Sequence, residues 1–260
     1  AHPEITEIHI TGGVHPDRGV EYGVELIQKI RSVNPTVHVK AFTAVEISFF
    51  ARKSKMTLEQ VLSTLKEAGL GSLPGGGAEI FDPAVRRKIA GGKAPAHAWL
   101  DVHRAAHRIG LASNATMLYG HIEKFEHRID HMERLVKLQA EHEGFNSFIP
   151  LRYLNQNNAL SELPELSAQE DYRNFAVSRL FLKQIPHLKA YWVMLGVPTA
   201  LGALDYGVDD LDGTIDDSTQ IYSMAGGAEA PTLRSSDIEG LIRERFYRPV
   251  ERNSLYELIK

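Results

Sequence analysis

The chain alternates between short segments in which every second residue is apolar and longer segments in which apolar residues recur every three or four positions. Residues 5–11 follow the first pattern, which is typical of a strand, and residues 19–34 follow the second, which predicts an amphipathic helix. The alternation continues along the chain, and residues 187–195, HLKAYWVML, are predicted as one strand. Strands are predicted at seven centres: Ile8, Val39, Leu73, Ala115, Phe148, Trp192 and Val208.

Helix starts are marked by side chains that cap free backbone N–H groups. Thr57 with Gln60, and Ser167 with Glu170, each form a capping-box pattern three residues apart. Further helices are predicted from Asp82, over residues 95–109, and up to about residue 142.

Strands that alternate with helices of this length pair in parallel through right-handed crossovers. A closed barrel of this kind takes eight strands, and the pattern supplies seven. The prediction is a (β/α)8 barrel of the TIM type that lacks its first β/α unit in this chain, and an open doubly wound sheet is the alternative. Residues 1–225 are expected to form the barrel (strands two to eight), and residues 226–260 a helical tail packed on it.

Composition excludes several classes of protein. Lys and Arg number 29 against 33 Asp and Glu, without a concentrated basic surface, so nucleic acid is not an expected partner. The sequence lacks an apolar run of about 18 residues and a signal-peptide pattern. A membrane partner is therefore not expected, and the expected location is the cytoplasm. The cysteine count is zero, which excludes disulfides and any thiolate-bound metal centre made by these 260 residues.

In such barrels, chemistry lies where strands end. Glycines follow three of the predicted strands, which exposes backbone rather than side chains at a common rim, although glycines also serve tight turns. The candidates at or near these ends are Gly12, Gly13, Glu46, Glu79, Asn114, Tyr119, Gly120, His121, Glu123, Arg152, Asn155 and Asp212.

Several blocks, in order, resemble the radical SAM enzymes of the futalosine route to menaquinone, and among these the aminofutalosine synthases. The blocks are TGGVHPD, KAFTAVEI, PGGGAEIF, SNATMLYGHIE, FIPL, DDLDGTI and PVERNSLYELI. The resemblance runs from Ile8 to Tyr256. Dehypoxanthine futalosine cyclase and the deazaflavin cofactor synthases are near neighbours, and KAYWVMLG and DDLDGTIDD favour the synthase.

The resemblance implies S-adenosylmethionine as a cofactor. Gly12 and Gly13 would offer carbonyl groups to its methionyl ammonium, which has three donors. The segment from Tyr119 to Glu123, with Gly120 and His121, would line the adenine and ribose, with Glu46 nearby. His121 has an alternative structural role in a buried hydrogen bond.

The resemblance also implies a 4Fe-4S cluster held by a C-x-x-x-C-x-x-C motif after the first strand, which this chain lacks. The expectation is therefore that the cysteine-bearing N-terminal segment is absent and that the 260 residues alone are inactive.

The implied reaction adds the 5'-deoxyadenosyl radical to 3-[(1-carboxyvinyl)oxy]benzoate, with rearrangement and loss of carbon dioxide, and needs an external one-electron reductant such as flavodoxin. Arginine and amide donors match the two carboxylates of this substrate. Arg152, Asn114 and Asn155 are the candidates, with Glu79 and Asp212 also expected near the substrate. A surface ion pair is the alternative for Arg152, and a capped turn is the alternative for the aspartates.

Two histidine pairs stand four residues apart on predicted helices, His103 with His107 and His127 with His131. That spacing can chelate zinc, but neither pair has the glutamate of an HExxH motif or a placed third ligand. Both pairs are expected on a solvated outer face, and no metal site is assigned.

Two other classes of function stay open. One is a cluster-free barrel lyase or aldolase in which residues 74–77 cradle a phosphate. The other is a non-catalytic subunit whose cysteine-bearing partner is a separate chain. Homo-oligomerisation is open as well.

Overall fold

The computed structural model describes residues 5–212 and 233–259. The predicted domain boundary at residues 225 and 226 lies outside these ranges. The strands are β1 (Glu7–Ile10), β2 (His38–Ala41), β3 (Ser72–Leu73), β4 (Ala112–Tyr119), β5 (Phe145–Arg152) and β6 (His187–Leu188). The helices are α1 (Val20–Val33), α2 (Ala44–Ser54), α3 (Leu58–Ala68), α4 (Pro83–Ala90), α5 (Ala96–Arg108), α6 (Phe125–Glu141), α7 (Ala168–Phe181), α8 (Trp192–Leu195), α9 (Val197–Gly202) and α10 (Ser235–Glu244), with a 3-10 turn at Ala203–Tyr206.

The six strands form one parallel sheet in chain order, from β1 to β6. A parallel bridge between Lys189 and Asp210 adds a seventh position beyond β6. Although β1 and β6 are at opposite ends of this order, the charge of Lys189, directly after β6, lowers the pKa of the Glu7 carboxylate on β1. The two ends of the sheet therefore approach each other, and the inner faces of the strands enclose a central space, which we call the lumen.

The predicted helix caps are present. The Thr57 hydroxyl accepts from the Gln60 N–H at 3.2 Å, while the Gln60 side chain accepts from the Thr57 N–H at 2.8 Å. Ser167 and Glu170 repeat this arrangement at the start of α7. Asp82 caps α4 by accepting two backbone N–H groups. These reciprocal bonds satisfy backbone groups that a helix leaves free in its first turn, so the local sequence decides where these helices begin.

The prediction of a strand over residues 187–195 was wrong in its second half. Ladder pairing ends at Leu188 and the Lys189 bridge, and residues 192–195 form the short helix α8. The Gly196 N–H closes this turn on the Trp192 carbonyl at 2.9 Å. Trp192, Val193 and Leu195 are all buried there. A short run of apolar residues fits a buried strand and a buried helix turn equally well, which is why its pattern did not discriminate.

The histidine pairs do not lie on a solvated face, which corrects the prediction. His103, His107 and His131 are at most 5% exposed, and His127 is half-buried. The Ser113 hydroxyl bridges His103 Nδ1 at 2.8 Å and His107 Nε2 at 2.9 Å, between α5 and β4. The arginines, glutamates and aspartates around these positions reflect the outward face of the same helices, while the histidines turn inward.

Aromatic rings fill the space between the helices and the sheet. Trp99 lies 5.4 Å from Phe81 and 6.0 Å from Phe145 between ring centres, and His131 stacks on Phe81 at 3.8 Å. All four rings are almost fully buried, so they form part of the core between the helices and the sheet. Among the described residues, none of the helices has the length and apolar character that crossing a membrane requires.

Candidate active site

The loop after β1 meets the first turn of α2 through a buried glutamate. Glu46 Oε2 accepts from the Thr43 N–H at 2.8 Å and from the Thr43 hydroxyl at 2.9 Å. The backbone of Gly12 also hydrogen-bonds this carboxylate. Burial raises the pKa of Glu46 and outweighs these bonds, which lower it. The side chain thereby ties two neighbouring strand ends together and fixes the Gly12 backbone.

Gly13 lies beside this anchored position and faces open space. A Cβ atom added to Gly13 would find no heavy atom within 4 Å, and one added to Gly12 would lie 3.5 Å from Glu46 Oε1. Packing among the described residues therefore gives no reason for glycine at Gly13. Backbone that a ligand can approach closely is a common use of such a residue.

The glycines after β3 have a different explanation. A Cβ added to Gly75 would come within 2.6 Å of Thr116 Cγ2. The Gly75 carbonyl accepts from the Thr116 hydroxyl at 2.6 Å and from Trp99 Nε1 at 3.2 Å, and Gly77 has a φ of +87°. This segment lies against β4, so the need for close backbone approach accounts for its glycines.

The segment after β4 is organised by Glu123. Its carboxylate accepts from the Gly120 N–H at 2.7 Å and the His121 N–H at 2.8 Å, and pairs with Arg128 at 2.5 Å. Burial by itself would raise the pKa of Glu123, but the neighbouring His121, the Gly120 N–H and Arg128 outweigh burial and lower it. The result is a rigid turn at the rim, with Gly120 at a φ of +87°.

Tyr119 and Arg152 both point to α7. The Tyr119 hydroxyl donates to Asp171 Oδ1 at 2.7 Å, and Arg152 Nη1 lies 3.2 Å from Asp171 Oδ2. Arg152 also donates to the Leu166 carbonyl. Since Tyr119 and Arg152 are register partners on β4 and β5, they share one face of the sheet, and it is the helix-facing one. The Arg152 guanidinium is thus already paired.

The other predicted substrate residues lie apart from one another. Asn155 donates to the Leu163 carbonyl at 2.5 Å within the loop after β5. Glu79 pairs with Lys93 at 2.5 Å. Asn114 donates to Asn146 Oδ1 at 2.7 Å and to Ser147 Oγ at 2.8 Å across β4 and β5. Each therefore has a partner within the chain.

A charged cluster inside the lumen was missed by the sequence reasoning. Lys40 Nζ contacts both carboxylate oxygens of Glu7, at 2.9 and 3.0 Å, and Lys189 Nζ contacts Asp212 at 2.8 Å. His9 is the register partner of Lys40 on the neighbouring strand, and the charges of all four side chains act on its pKa. Burial by itself would raise the pKa of Glu7, but Lys40 outweighs it and brings the pKa to about 2. The signal in the sequence was polar residues at alternate positions of strands that should be apolar on both faces.

The far side of the cluster is closed by the C-terminal segment. Asp210 accepts from Arg252 at 2.7 Å and from the Tyr256 hydroxyl at 2.6 Å, and Tyr256 stacks on His187 with ring centres 3.7 Å apart. Ser254 hydrogen-bonds Glu7. Residues far apart in the chain therefore meet in this cluster.

An iron–sulfur cluster does not fit the residues of this chain. Thiolates are the usual ligands of such clusters, and the chain has no cysteine. Within residues 5–212 and 233–259, no group of three His, Asp or Glu side chains is placed to bind a metal. The rim at Gly12 and Gly13, with its accessible backbone, does suit a ligand that carries an ammonium group.

Comparison with known proteins agrees with this geometry. Residues 1–135 match the radical SAM superfamily. The chain belongs to this superfamily. Residues 142–260 match the CofH/MqnC C-terminal region. The radical SAM assignment by resemblance is confirmed, and the chain is a member of an enzyme family.

Relatives with two different activities are similar to this radical SAM chain. It is 46% identical to aminodeoxyfutalosine synthase of Thermus thermophilus, over 99% of the chain and 70% of the relative. It is 41% identical to aminodeoxyfutalosine synthase of Streptomyces coelicolor, over 98% and 69%. It is also 38% identical to 5-amino-6-(D-ribitylamino)uracil–L-tyrosine 4-hydroxyphenyl transferase of Methanopyrus kandleri, over 98% and 70%.

Solved structures confirm the barrel. Methylornithine synthase superposes with a TM-score of 0.65 at 16% identity, over 89% of this chain and 64% of that one. The FeFe-hydrogenase maturase HydG of Carboxydothermus hydrogenoformans superposes with a TM-score of 0.67 at 14% identity, over 97% and 57%. The fold is that of radical SAM barrels, as predicted, rather than an open doubly wound sheet.

Proposed function

We propose that the whole protein is an aminodeoxyfutalosine synthase, which joins the 5'-deoxyadenosyl group of S-adenosylmethionine to 3-[(1-carboxyvinyl)oxy]benzoate with loss of carbon dioxide. The observation that carries this proposal is the 46% identity to the Thermus thermophilus synthase over 99% of the chain. The 4-hydroxyphenyl transferase reaction is the second candidate, supported by the 38% identity to the Methanopyrus kandleri enzyme.

S-adenosylmethionine is proposed to bind at the strand-end rim. The carbonyls of Gly12 and Gly13 would accept from its ammonium group, since Gly13 faces open space and Gly12 is fixed by Glu46. The turn at Gly120 and His121, which Glu123 holds rigid, would contact the nucleoside. Tyr119 supports this turn through Asp171 rather than by direct contact.

A 4Fe-4S cluster supplies the electron that cleaves S-adenosylmethionine in the family. The residues of this chain do not provide its thiolates. What the chain does provide is positioning: a parallel sheet whose two ends approach each other, fixed rim turns and a lumen in which a reactive intermediate would be kept from bulk water.

The loop after β5 is proposed to cover the substrate. Arg152 and Asn155 hold this loop through the Leu166 and Leu163 carbonyls, so they would act on the substrate through the position of the loop. Asn114 lies one strand away and is proposed, with Glu79 and Asp212, to border the same space. Arg152 is in this view a positioning residue.

The test is a product assay on the intact protein, reconstituted anaerobically with a flavodoxin-class one-electron donor. One reaction contains S-adenosylmethionine and 3-[(1-carboxyvinyl)oxy]benzoate, and the other contains S-adenosylmethionine, 5-amino-6-(D-ribitylamino)uracil and tyrosine. Mass spectrometry is expected to find the nucleoside adduct in the first reaction alone. An adduct in the second reaction alone would instead support the transferase.

A further inference from the structure

The His9 imidazole has no hydrogen-bond partner among the residues that the structure describes, although charged groups surround it. Ile8 and Ile10 pack against the core. Since side chains alternate along a strand, Glu7 and His9 lie on the other, inner face of β1. Lys40 is the register partner of His9 on β2 and reaches back to Glu7. The ring is therefore held among ionic groups while its own nitrogens stay available.

The ionic groups around His9 are already balanced. Lys40 pairs with Glu7, and Lys189 pairs with Asp212. Asp210 completes the cluster with Arg252 and lies 3.7 Å from Lys189. Three cations thus face three anions. Buried ammonium groups are rare in proteins because removing them from water is unfavourable. Lys40 is 5% exposed and Lys189 is 3% exposed, and both belong to the cluster around the His9 imidazole.

We propose that His9, with the ammonium groups of Lys40 and Lys189 beside it, forms a binding subsite for a carboxylate of the substrate. This inference rests on the proposed function, whose substrate carries two carboxylates. It assigns their recognition to the lumen rather than to Arg152, which Asp171 already neutralises.

The subsite lies at a suitable depth. His9 lies on β1, which ends at Ile10, and it precedes Gly12 by three residues, so it lies at most about 10 Å below the rim. A carboxylate held at His9 therefore leaves the remainder of the substrate directed toward the rim, where S-adenosylmethionine is proposed to bind. The rigid sheet fixes both positions relative to each other.

Charge balance predicts that a proton accompanies the ligand. The His9 side chain is open to solvent on the inner face of β1, but the surrounding protein displaces part of its hydration. This desolvation, assisted by Lys40 and Lys189, lowers the pKa of His9, and Glu7 and Asp212 oppose it only in part. The free imidazole is therefore neutral near pH 7. A carboxylate entering a balanced cluster adds one uncompensated negative charge, which raises the pKa of His9. Between the free and bound pKa values, one proton is taken up on binding, and affinity increases about tenfold for each unit by which the pH falls.

The experiment is calorimetric titration of the intact protein, saturated with S-adenosylmethionine and without reductant, so that no turnover occurs. The probes are 3-[(1-carboxyvinyl)oxy]benzoate and benzoate, each titrated at pH 7 in two buffers of different ionisation enthalpy. The variant is His9→Gln, which keeps a hydrogen bond donor but does not take up a proton. His38→Gln is the matched control, because the His38 ring is on the adjacent strand and is already bonded to Ser72 at 2.8 Å.

Wild type and His38→Gln are expected to bind with uptake of about one proton, and His9→Gln about tenfold more weakly with none. Unchanged affinity and proton uptake in His9→Gln would overturn the subsite. If benzoate binds in this His9-dependent manner while the enol ether does not bind, the subsite is supported and the proposed function is contradicted. Failure of both probes to bind wild type overturns both. Thermal unfolding of each variant shows whether the fold is retained.

Discussion

The Tyr256 hydroxyl lies 2.6 Å from Asp210 Oδ2, and the same oxygen accepts from Arg252 at 2.7 Å. Asp210 is buried, and its bridge to Lys189 joins the seventh strand position to the sheet. These bonds attach the C-terminal segment to the barrel at Asp210, whose buried carboxylate requires hydrogen-bond donors.

Tyr256→Phe is predicted to lower the free energy of unfolding by about 1–3 kcal/mol, because it removes one hydrogen bond from a buried carboxylate. Urea unfolding followed by circular dichroism measures the change. The control is Tyr247→Phe, in which the lost bond, to Asp205, is exposed; it should leave stability nearly unchanged. Equal losses of stability in the two variants would show that the buried bond to Asp210 contributes no more than the exposed bond to Asp205.

Gly13→Val is predicted to weaken S-adenosylmethionine binding at least about tenfold while the melting temperature stays close to that of wild type. A Cβ at this position has no heavy atom of the described residues within 4 Å, so the steric conflict is expected with the ligand. Gly92→Val is the control, because a Cβ at Gly92 is equally unobstructed but far along the chain from the rim. Unchanged affinity in Gly13→Val would contradict the assignment of the rim.

Stability is predicted to fall in mild acid because of buried neutral histidines. Burial lowers the pKa of His107 to about 4 and that of His131 to about 3, below their ordinary value of 6.5. The unfolded chain therefore binds more protons than the folded one between these values. The free energy of unfolding then decreases as pH falls below 6.5, by about 1.4 kcal/mol per pH unit for each such histidine.

His131→Gln tests this contribution. Glutamine can still donate to the Thr116 carbonyl, which His131 Nε2 contacts at 2.9 Å, but it does not titrate. Between pH 6 and pH 4 the variant should lose stability less steeply than wild type, by about 1.4 kcal/mol per unit. His97→Gln, at an exposed position of α5, should follow the wild-type slope. If the stability of His131→Gln falls with pH as steeply as that of wild type, His131 does not contribute to the loss of stability in acid.

Arg152→Gln is predicted to destabilise the fold by about 2–4 kcal/mol, since it leaves the buried Asp171 carboxylate with fewer partners. The double variant Arg152→Gln with Asp171→Asn should recover part of the loss, because no buried charge then remains unpaired. Chemical unfolding of the three variants gives the coupling energy. Full additivity of the two substitutions would mean that the pair does not interact.

Local sequence was sufficient for most of the fold. Capping boxes such as Thr57 with Gln60 specify helix starts by bonds within three residues, so their pattern can be read without tertiary structure. The strand over residues 187–195 was misjudged because α8 forms where Trp192 finds a buried position, which is a tertiary effect. The buried histidines were misplaced for the same reason: the polar neighbours of His103 describe the opposite face of its helix.

The site was predictable only in part. Gly12 and Gly13 could be singled out, because a glycine pair after a strand is a local signal. The lumen cluster joins Glu7, Lys40 and Lys189, which are separated by 33 residues or more, and its existence depends on closure of the sheet. Likewise, the face of the sheet on which Arg152 lies follows from its register with Tyr119. The sequence alone does not specify this register.

As proposed, the intact protein couples S-adenosylmethionine to an enol ether with decarboxylation. The direct measurement uses 3-[(1-carboxyvinyl)oxy]benzoate with ¹³C in the enol-ether carboxylate and follows labelled carbon dioxide and nucleoside adduct together. One labelled carbon dioxide is expected for each adduct, with the benzoate carboxylate retained. An adduct that still carries the label, or turnover of S-adenosylmethionine with neither product, would contradict it.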